Sequence, residues 1–339
     1  HSTRRRQRQM CIRDRYKAFR EKGVILHYYG ETLQAFPAEW KTNLTIRSVI
    51  AKSAIGTIGT MMKESEASSN PVILVYGDSN SWGMPHDKDV PQVPYENPWP
   101  MILQTELNNS ELKGFRVADH TLCSRTTSLD TFDKAWVTVC DIKEDPTVFN
   151  GATHLNNALK AEFEESDSPI MEKSWVVIFL GTNDLKLGVR TLKGIDIPTI
   201  AQRVVDDLVT KVVNYNQNLN ILVISPPLAM DRPRSLSGIV TTQGGYAYDI
   251  DSKTLSEAFA STFQAALYLY NRENSKKVQH IALGLQMQPD RKTKSKPLLD
   301  MSDSEDGIHI TQKHCETVAK LVFDKIMSES ASSHGGGGG

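Results

Sequence analysis

The run Trp175-Val176-Val177-Ile178-Phe179-Leu180 has strand length and strand-type residues, and it is apolar on both sides of the period-two alternation. Such a strand cannot face water on either side, so it needs cover above and below. Val72-Ile73-Leu74-Val75-Tyr76 and Ile221-Leu222-Val223-Ile224 read the same way, Phe115-Arg116-Val117-Ala118 is weaker, and Val278 to Ala282 suggests a fifth strand. Helical periods separate these runs: Trp99 to Asn108, Leu155 to Glu164, Thr199 to Asn216, Ser256 to Asn271 and Thr311 to Met327. In the last, Cys315, Val318, Val322 and Ile326 recur every three or four residues and form one apolar face. The alternation predicts an α/β protein, a three-layer αβα sandwich on about five parallel strands. Ligands in such folds bind beyond the carboxyl ends of the strands.

Composition narrows the function classes. The chain of 339 residues is long enough to bury a sizeable core, and its formal net charge of -1 gives no reason to expect a nucleic-acid partner. Cys11, Cys123, Cys140 and Cys315 contain no Cys-x-x-Cys pair, so neither a zinc site nor a disulfide framework is expected, and reduced thiols are the plain reading. The best membrane-span candidate, Leu44 to Met62, is broken by Arg47 and Lys52.

The first seventy residues differ from the rest. Arg4-Arg5-Arg6, Arg8, Arg13, Arg15 and Arg20 read as a basic arm for nucleic acid or organelle import, but little aromatic content accompanies them. Met10-Cys11-Ile12-Arg13-Asp14 resembles the translation of a sequencing-library adapter, and Met61-Met62 offers an alternative start. Residues 1–70 are therefore expected to be an extension outside the fold, residues 71–328 the domain, and 329–339 a disordered Ser/Gly tail. A start near Met61 leaves Lys63-Glu64-Ser65-Glu66 at the N-terminus without an apolar leader, which points to the cytoplasm.

Polar residues gather at one sheet edge. The first long strand ends at Gly77-Asp78-Ser79-Asn80, the second runs into Ser124-Arg125-Thr126-Thr127, the third ends at Gly181-Thr182-Asn183-Asp184, and Asp306-Gly307-Ile308-His309 precedes the last helix. A serine hydroxyl is a poor nucleophile at neutral pH unless an imidazole takes its proton as it attacks a carbonyl. His309 suits that task, and Asp306, three residues earlier, can orient its ring and fix the tautomer. The oxyanion formed on attack needs donors already aimed at it, which the Asn183 amide and the backbone N–H groups of Ser79 and Ser124 can supply. Each block alone has a structural reading. Asp78 can simply cap a helix, Asp306-Gly307 can be a loop, and Asn183-Asp184 can end a strand. Four in order on one edge make an enzyme the leading expectation.

Together these blocks resemble the four signature blocks of the SGNH, or GDSL-type, hydrolase superfamily. Asn80-Ser81-Trp82-Gly83, Pro98-Trp99-Pro100, Phe149-Asn150-Gly151 and Asp184-Leu185-Lys186 further resemble its arylesterase and acyltransferase-like branch. The likeness spans about Val72 to Met327. It implies a flavodoxin-like αβα sandwich, with Ser79 as nucleophile, His309 as base, Asp306 as the orienting acid and Asn183 as a side-chain oxyanion donor. The family usually has glycine where Ser124 stands; a serine there can still offer its backbone N–H, but its Cβ narrows the site and removes access to glycine-only dihedrals.

The expected activity is a metal-free and cofactor-free serine esterase acting on short acyl or aryl esters, with acyl transfer to alcohols as an accompanying reaction. A carbohydrate acetylesterase and a non-catalytic binding module on a degenerate hydrolase fold are the alternatives. Trp82 and Trp99 either wall an acyl pocket with rigid apolar surface or pack over the first helix. The expected partner is a small-molecule ester, with neither nucleic acid nor a membrane involved and homo-oligomerisation left open.

Overall fold

The computed structural model describes residues 25–29, 32–36, 70–83, 97–112, 114–130, 147–164, 166–185, 197–227, 252–275, 277–286 and 309–334. Strands β1 (Ile25–Tyr29) and β2 (Thr32–Phe36) pair antiparallel as a hairpin that forms its own two-stranded sheet. The main sheet comprises β3 (Val72–Gly77), β4 (Arg116–Asp119), β5 (Trp175–Phe179), β6 (Asn220–Ser225) and β7 (Val278–Ala282). All its neighbours are parallel, in the order β4-β3-β5-β6-β7, with Val75 opposite both Asp119 and Val177. The first strand of this sheet thus lies inside it, with its two successors on opposite sides. Strand order reverses there, and the crevice above β3 and β5 is where such sheets receive ligands.

The double-sided apolar strands explain the layers. Val72, Leu74 and Tyr76 of β3 point to one face with Val176 and Ile178 of β5, where they pack under Leu155, Leu159 and Phe163 of α3 (Gly151–Phe163) and Phe259 of α7 (Ser252–Glu273). Ile73, Val75, Val177 and Phe179 point to the other face, under Trp99 and Leu103 of α2 (Trp99–Asn108) and Cys315, Val318, Val322 and Ile326 of α9 (Gln312–His334). The result is the three-layer sandwich expected from the strand pattern, with the expected fifth strand in place.

Helix ends differ from expectation for local reasons. α3 begins four residues before Leu155 because the Asn150 side chain accepts the Thr153 N–H at 3.1 Å and caps the added turn. The helix expected over Thr199 to Asn216 runs as α5 (Ile197–Arg203), a π-helical stretch (Val204–Val209) and α6 (Thr210–Tyr215). The Thr210 N–H and hydroxyl both donate to the Val205 carbonyl across the wider turn, the hydroxyl at 3.0 Å. Short helices α1 (Ser79–Trp82), α4 (Ser168–Lys173) and α8 (Leu283–Gln286) complete the described elements. Residues 329–334 continue α9 rather than opening the tail expected from residue 329. Among the described residues no helix is long and apolar enough to cross a membrane.

Candidate active site

β3 ends at Gly77, and Asp78 turns the chain into α1 so that Ser79 is the first helical residue above the strand. Asp78 Oδ1 accepts the Asn80 backbone N–H at 3.0 Å, which makes it the helix cap. This was the structural alternative for Asp78, and it coexists with a serine presented beside it. α1 folds back so tightly that a Cβ on Gly77 would lie 2.4 Å from Ser81 Oγ and 2.7 Å from Ser81 Cβ. Only glycine fits at this approach.

His309 comes from the other end of the chain, three residues before α9. Its Nε2 lies 2.7 Å from Ser79 Oγ, and the hydroxyl donates whenever Nε2 carries no proton, the tautomer a general base requires. Ser79 is 4% exposed, covered yet reachable. Asp306 lies outside the described residues.

The second block follows β4. His120 and Leu122 continue the pairing to β3 through N–H bonds to Val75 O (2.9 Å) and Gly77 O (3.1 Å), so the loop starts pinned to the strand that carries the serine. Ser124 then takes φ +63°, the left-handed region, and is the one non-glycine residue among those described that does so. A glycine would adopt such a backbone without strain; here serine adopts it, at about 1–2 kcal/mol. Next to it, Arg125 is 4% exposed and its guanidinium donates to Gly77 O at 3.2 Å and to His120 O. Its Cζ sits 4.2 Å from the centre of the Tyr76 ring. One buried cation therefore clamps the end of β3 to the loop bearing Ser124.

Gly181, at φ +128°, leads from β5 into a helical turn over 182–185 that carries Asn183 and Asp184. Asn183 Nδ2 donates to Arg125 O at 3.0 Å and stands 3.5 Å from Asp78 Oδ2, the limit of a hydrogen bond. One amide hydrogen is committed to the second block; the other is held only weakly. Asp184 accepts the Thr127 N–H at 2.9 Å and the Thr127 hydroxyl, which locks the third block to the second. Burial pushes the Asp184 carboxyl up to about 6 against the pull of these Thr127 bonds and of Arg203. It also pushes Asp78 up to about 7, with the Asp184 charge adding to the rise while the Asn80 N–H and Arg125 oppose it.

The structure thus brings together Ser79, His309, Asn183 and the Ser124 loop. It gives Trp82 and Trp99 little surface for a substrate: they are 2% and 0% exposed, and Trp99 is part of the apolar layer with Ile73, Val75 and Leu103. Packing is the reading that this burial favours. Cys123 and Cys315 are buried thiols, and Cys315 is pushed up to about 12 by burial, the state of an inert thiol. Among the described residues no three His, Cys, Asp or Glu side chains gather as metal ligands. The sequence pointed to Asp78 only as a possible helix cap and gave no supporting role to Arg125, Thr127 and Asp184. Each lies inside a signature block, which was the available signal, but burial of a charge is a property of the folded chain.

No protein-family model and no curated protein matches the sequence. In backbone shape the chain is similar to the native aryl esterase of M. smegmatis, at a TM-score of 0.53 and 22% identity over 76% of this chain and 99% of that one. The inhibitor-bound form of that esterase aligns at a TM-score of 0.53 and 21% identity over the same shares. This is the SGNH hydrolase fold. The chain is also similar to a carbohydrate acetylesterase from Sinorhizobium meliloti, with a TM-score of 0.50 and 21% identity over 76% of this chain and 99% of that one.

Proposed function

We propose that the protein is a serine esterase of the SGNH superfamily, hydrolysing short-chain acyl or aryl esters through an acyl-Ser79 intermediate. The observation that carries this reading is the 2.7 Å approach of His309 Nε2 to Ser79 Oγ at the strand-order reversal of a parallel sheet. In the first half-reaction His309 takes the serine proton as Oγ attacks the ester carbonyl, then gives it to the departing alcohol. In the second, water attacks the acyl-enzyme with His309 again as base, and an alcohol in place of water gives acyl transfer. Asn183 Nδ2 and the Ser79 and Ser124 N–H groups serve the oxyanion. Asn183 is suited to this because only one of its amide hydrogens has a close partner. Asp306 orients His309.

Replacement of Ser79 by alanine should reduce turnover of an aryl acetate to background and abolish labelling by a serine-directed phosphonate. Undiminished turnover in that variant refutes the assignment, and a wild type that neither turns over ester nor reacts with the phosphonate points to a binding module instead. The likeness to the S. meliloti acetylesterase supports a second reading with the same machinery, deacetylation of carbohydrate. Acetate release from acetylated xylan, compared with release from an aryl acetate, separates the two.

A further inference from the structure

Two contacts, not one, join the serine segment to the histidine segment. Beside the Ser79–His309 pair at 2.7 Å, Asn80 Oδ1 accepts the backbone N–H of Ile310 at 2.9 Å. Consecutive residues at one end of the domain thus hold consecutive residues at the other, and each bond spans 230 positions of sequence. Asn80 is 1% exposed and touches no open surface, so its side chain is placed to act on protein and not on substrate.

Both ends of the second contact are braced. The Asn80 backbone is fixed by its N–H bond to Asp78 Oδ1 at 3.0 Å. Ile310 is 1% exposed in the apolar layer with Cys315 and Val318, and the next residue, Thr311, is tied to the first turn of α9 by its hydroxyl, 2.9 Å from His314 Nδ1. Between these anchors, the Asn80 bond fixes the peptide that carries His309. The assignment of the amide is forced, because the Ile310 N–H needs an acceptor and only the oxygen supplies one. Asn80 Nδ2 is then buried with no acceptor. A leucine of similar volume would remove that unpaired amide donor but would leave the buried Ile310 N–H without its acceptor, so what the amide supplies at this position is the bond to the peptide beside His309.

We infer that Asn80 is a positioning residue that sets the reach of His309 to Ser79 by holding the Ile310 peptide. The inference rests on the serine-esterase reading for its kinetic consequence but not for its geometric one. In Asn80→Leu the acceptor is lost while the volume is kept, and misplacement of a base by about 1 Å costs on the order of 100-fold in rate. The expected result is a kcat for aryl acetate lowered about 100-fold with KM changed less than threefold and phosphonate labelling of Ser79 slowed in parallel. Asn80→Asp, which keeps an oxygen acceptor in either protonation state, should recover at least ten-fold of that loss. A kcat within threefold of wild type in Asn80→Leu, or an Asn80→Asp as impaired as Asn80→Leu, overturns the inference. Asn80→Ala, which only trims the side chain, is read by the same criteria and stands in if the leucine variant does not fold. A crystal structure of the variant lacking the acceptor separates this inference from the proposed activity. A Ser79–His309 distance lengthened beyond 3.5 Å supports the positioning role even in an enzyme with no esterase turnover, and an unchanged distance overturns it.

Discussion

Replacing Asp78 by asparagine should raise stability at neutral pH while lowering turnover. Asp78 has no exposed surface, and burial pushes its carboxyl from the ordinary 3.8 to about 7. A carboxyl raised in the folded state binds its proton more tightly there than in the unfolded chain. Its contribution to stability is fully present below about pH 4 and is lost as pH rises through about 7. A rise of about 3 units, at ~1.36 kcal/mol each, amounts to roughly 4 kcal/mol at most. Asparagine stays neutral throughout, and its Oδ1 can still accept the Asn80 N–H that the aspartate accepts at 3.0 Å. Its amide nitrogen, however, takes the place of Oδ2, 3.5 Å from Asn183 Nδ2, and sets donor against donor beside the proposed oxyanion site. Urea midpoints followed by tryptophan fluorescence between pH 4 and pH 8 should show the variant gaining about 2–4 kcal/mol on the wild type across that range. Under the proposed oxyanion role of Asn183, turnover of an aryl acetate by the variant should fall about ten-fold or more. Parallel stability curves for the two proteins would refute the reasoning, because they would mean that Asp78 carries the same proton in the folded and unfolded states.

Glu162 should show the opposite pH dependence. Burial alone would raise its carboxyl, but the His120 hydrogen bond and the Arg116 charge hold it down at about 2, so its contribution is present above about pH 4.5 and lost as pH falls through 2. Glu162→Gln should therefore lower the unfolding free energy by roughly 3 kcal/mol at pH 7 and by much less near pH 2, and an equal loss at both pH values in urea titrations contradicts this. Ser124→Gly should relieve the left-handed backbone at φ +63° and, after the entropy of a freer unfolded chain is deducted, stabilise by about 0.5–1 kcal/mol. A lower thermal midpoint in that variant counts against the strain argument. Gly77→Ala should reduce kcat about 100-fold by pushing α1 off the end of β3, since its Cβ would lie 2.4 Å from Ser81 Oγ. Wild-type turnover there would mean that α1 yields without moving Ser79.

The sheet was legible because the burial of both faces of β5 is written locally, in six consecutive apolar residues, and any chain that hides such a strand must cover it twice. The gathering of Ser79, Asn183 and the Ser124 loop followed from topology alone, since parallel strands bring their carboxyl ends to one edge. What escaped depends on pairs. The start of α3 was hidden because Gly151 and Thr153 are weak helix formers, although Asn150 was in place to cap it. The helical period read over Thr199 to Asn216 gave no hint of a π-helical stretch at Val204–Val209, because the widened turn is defined by which carbonyl a donor reaches. The clamp of Arg125 on Gly77 and His120, the lock of Thr127 on Asp184 and the tie of Asn80 to Ile310 each need two distant segments to meet before either residue has a role. Trp99 shows the same dependence, since only the packed layer decides between pocket wall and core. Ser124 is the converse case. That serine stands where the resembled signature block usually has glycine was plain in the sequence, and the structure supplies the consequence: the backbone is left-handed here and serine bears the strain. A loop that holds this conformation without glycine must be held by its neighbours, and the buried Arg125 clamp next to it does that.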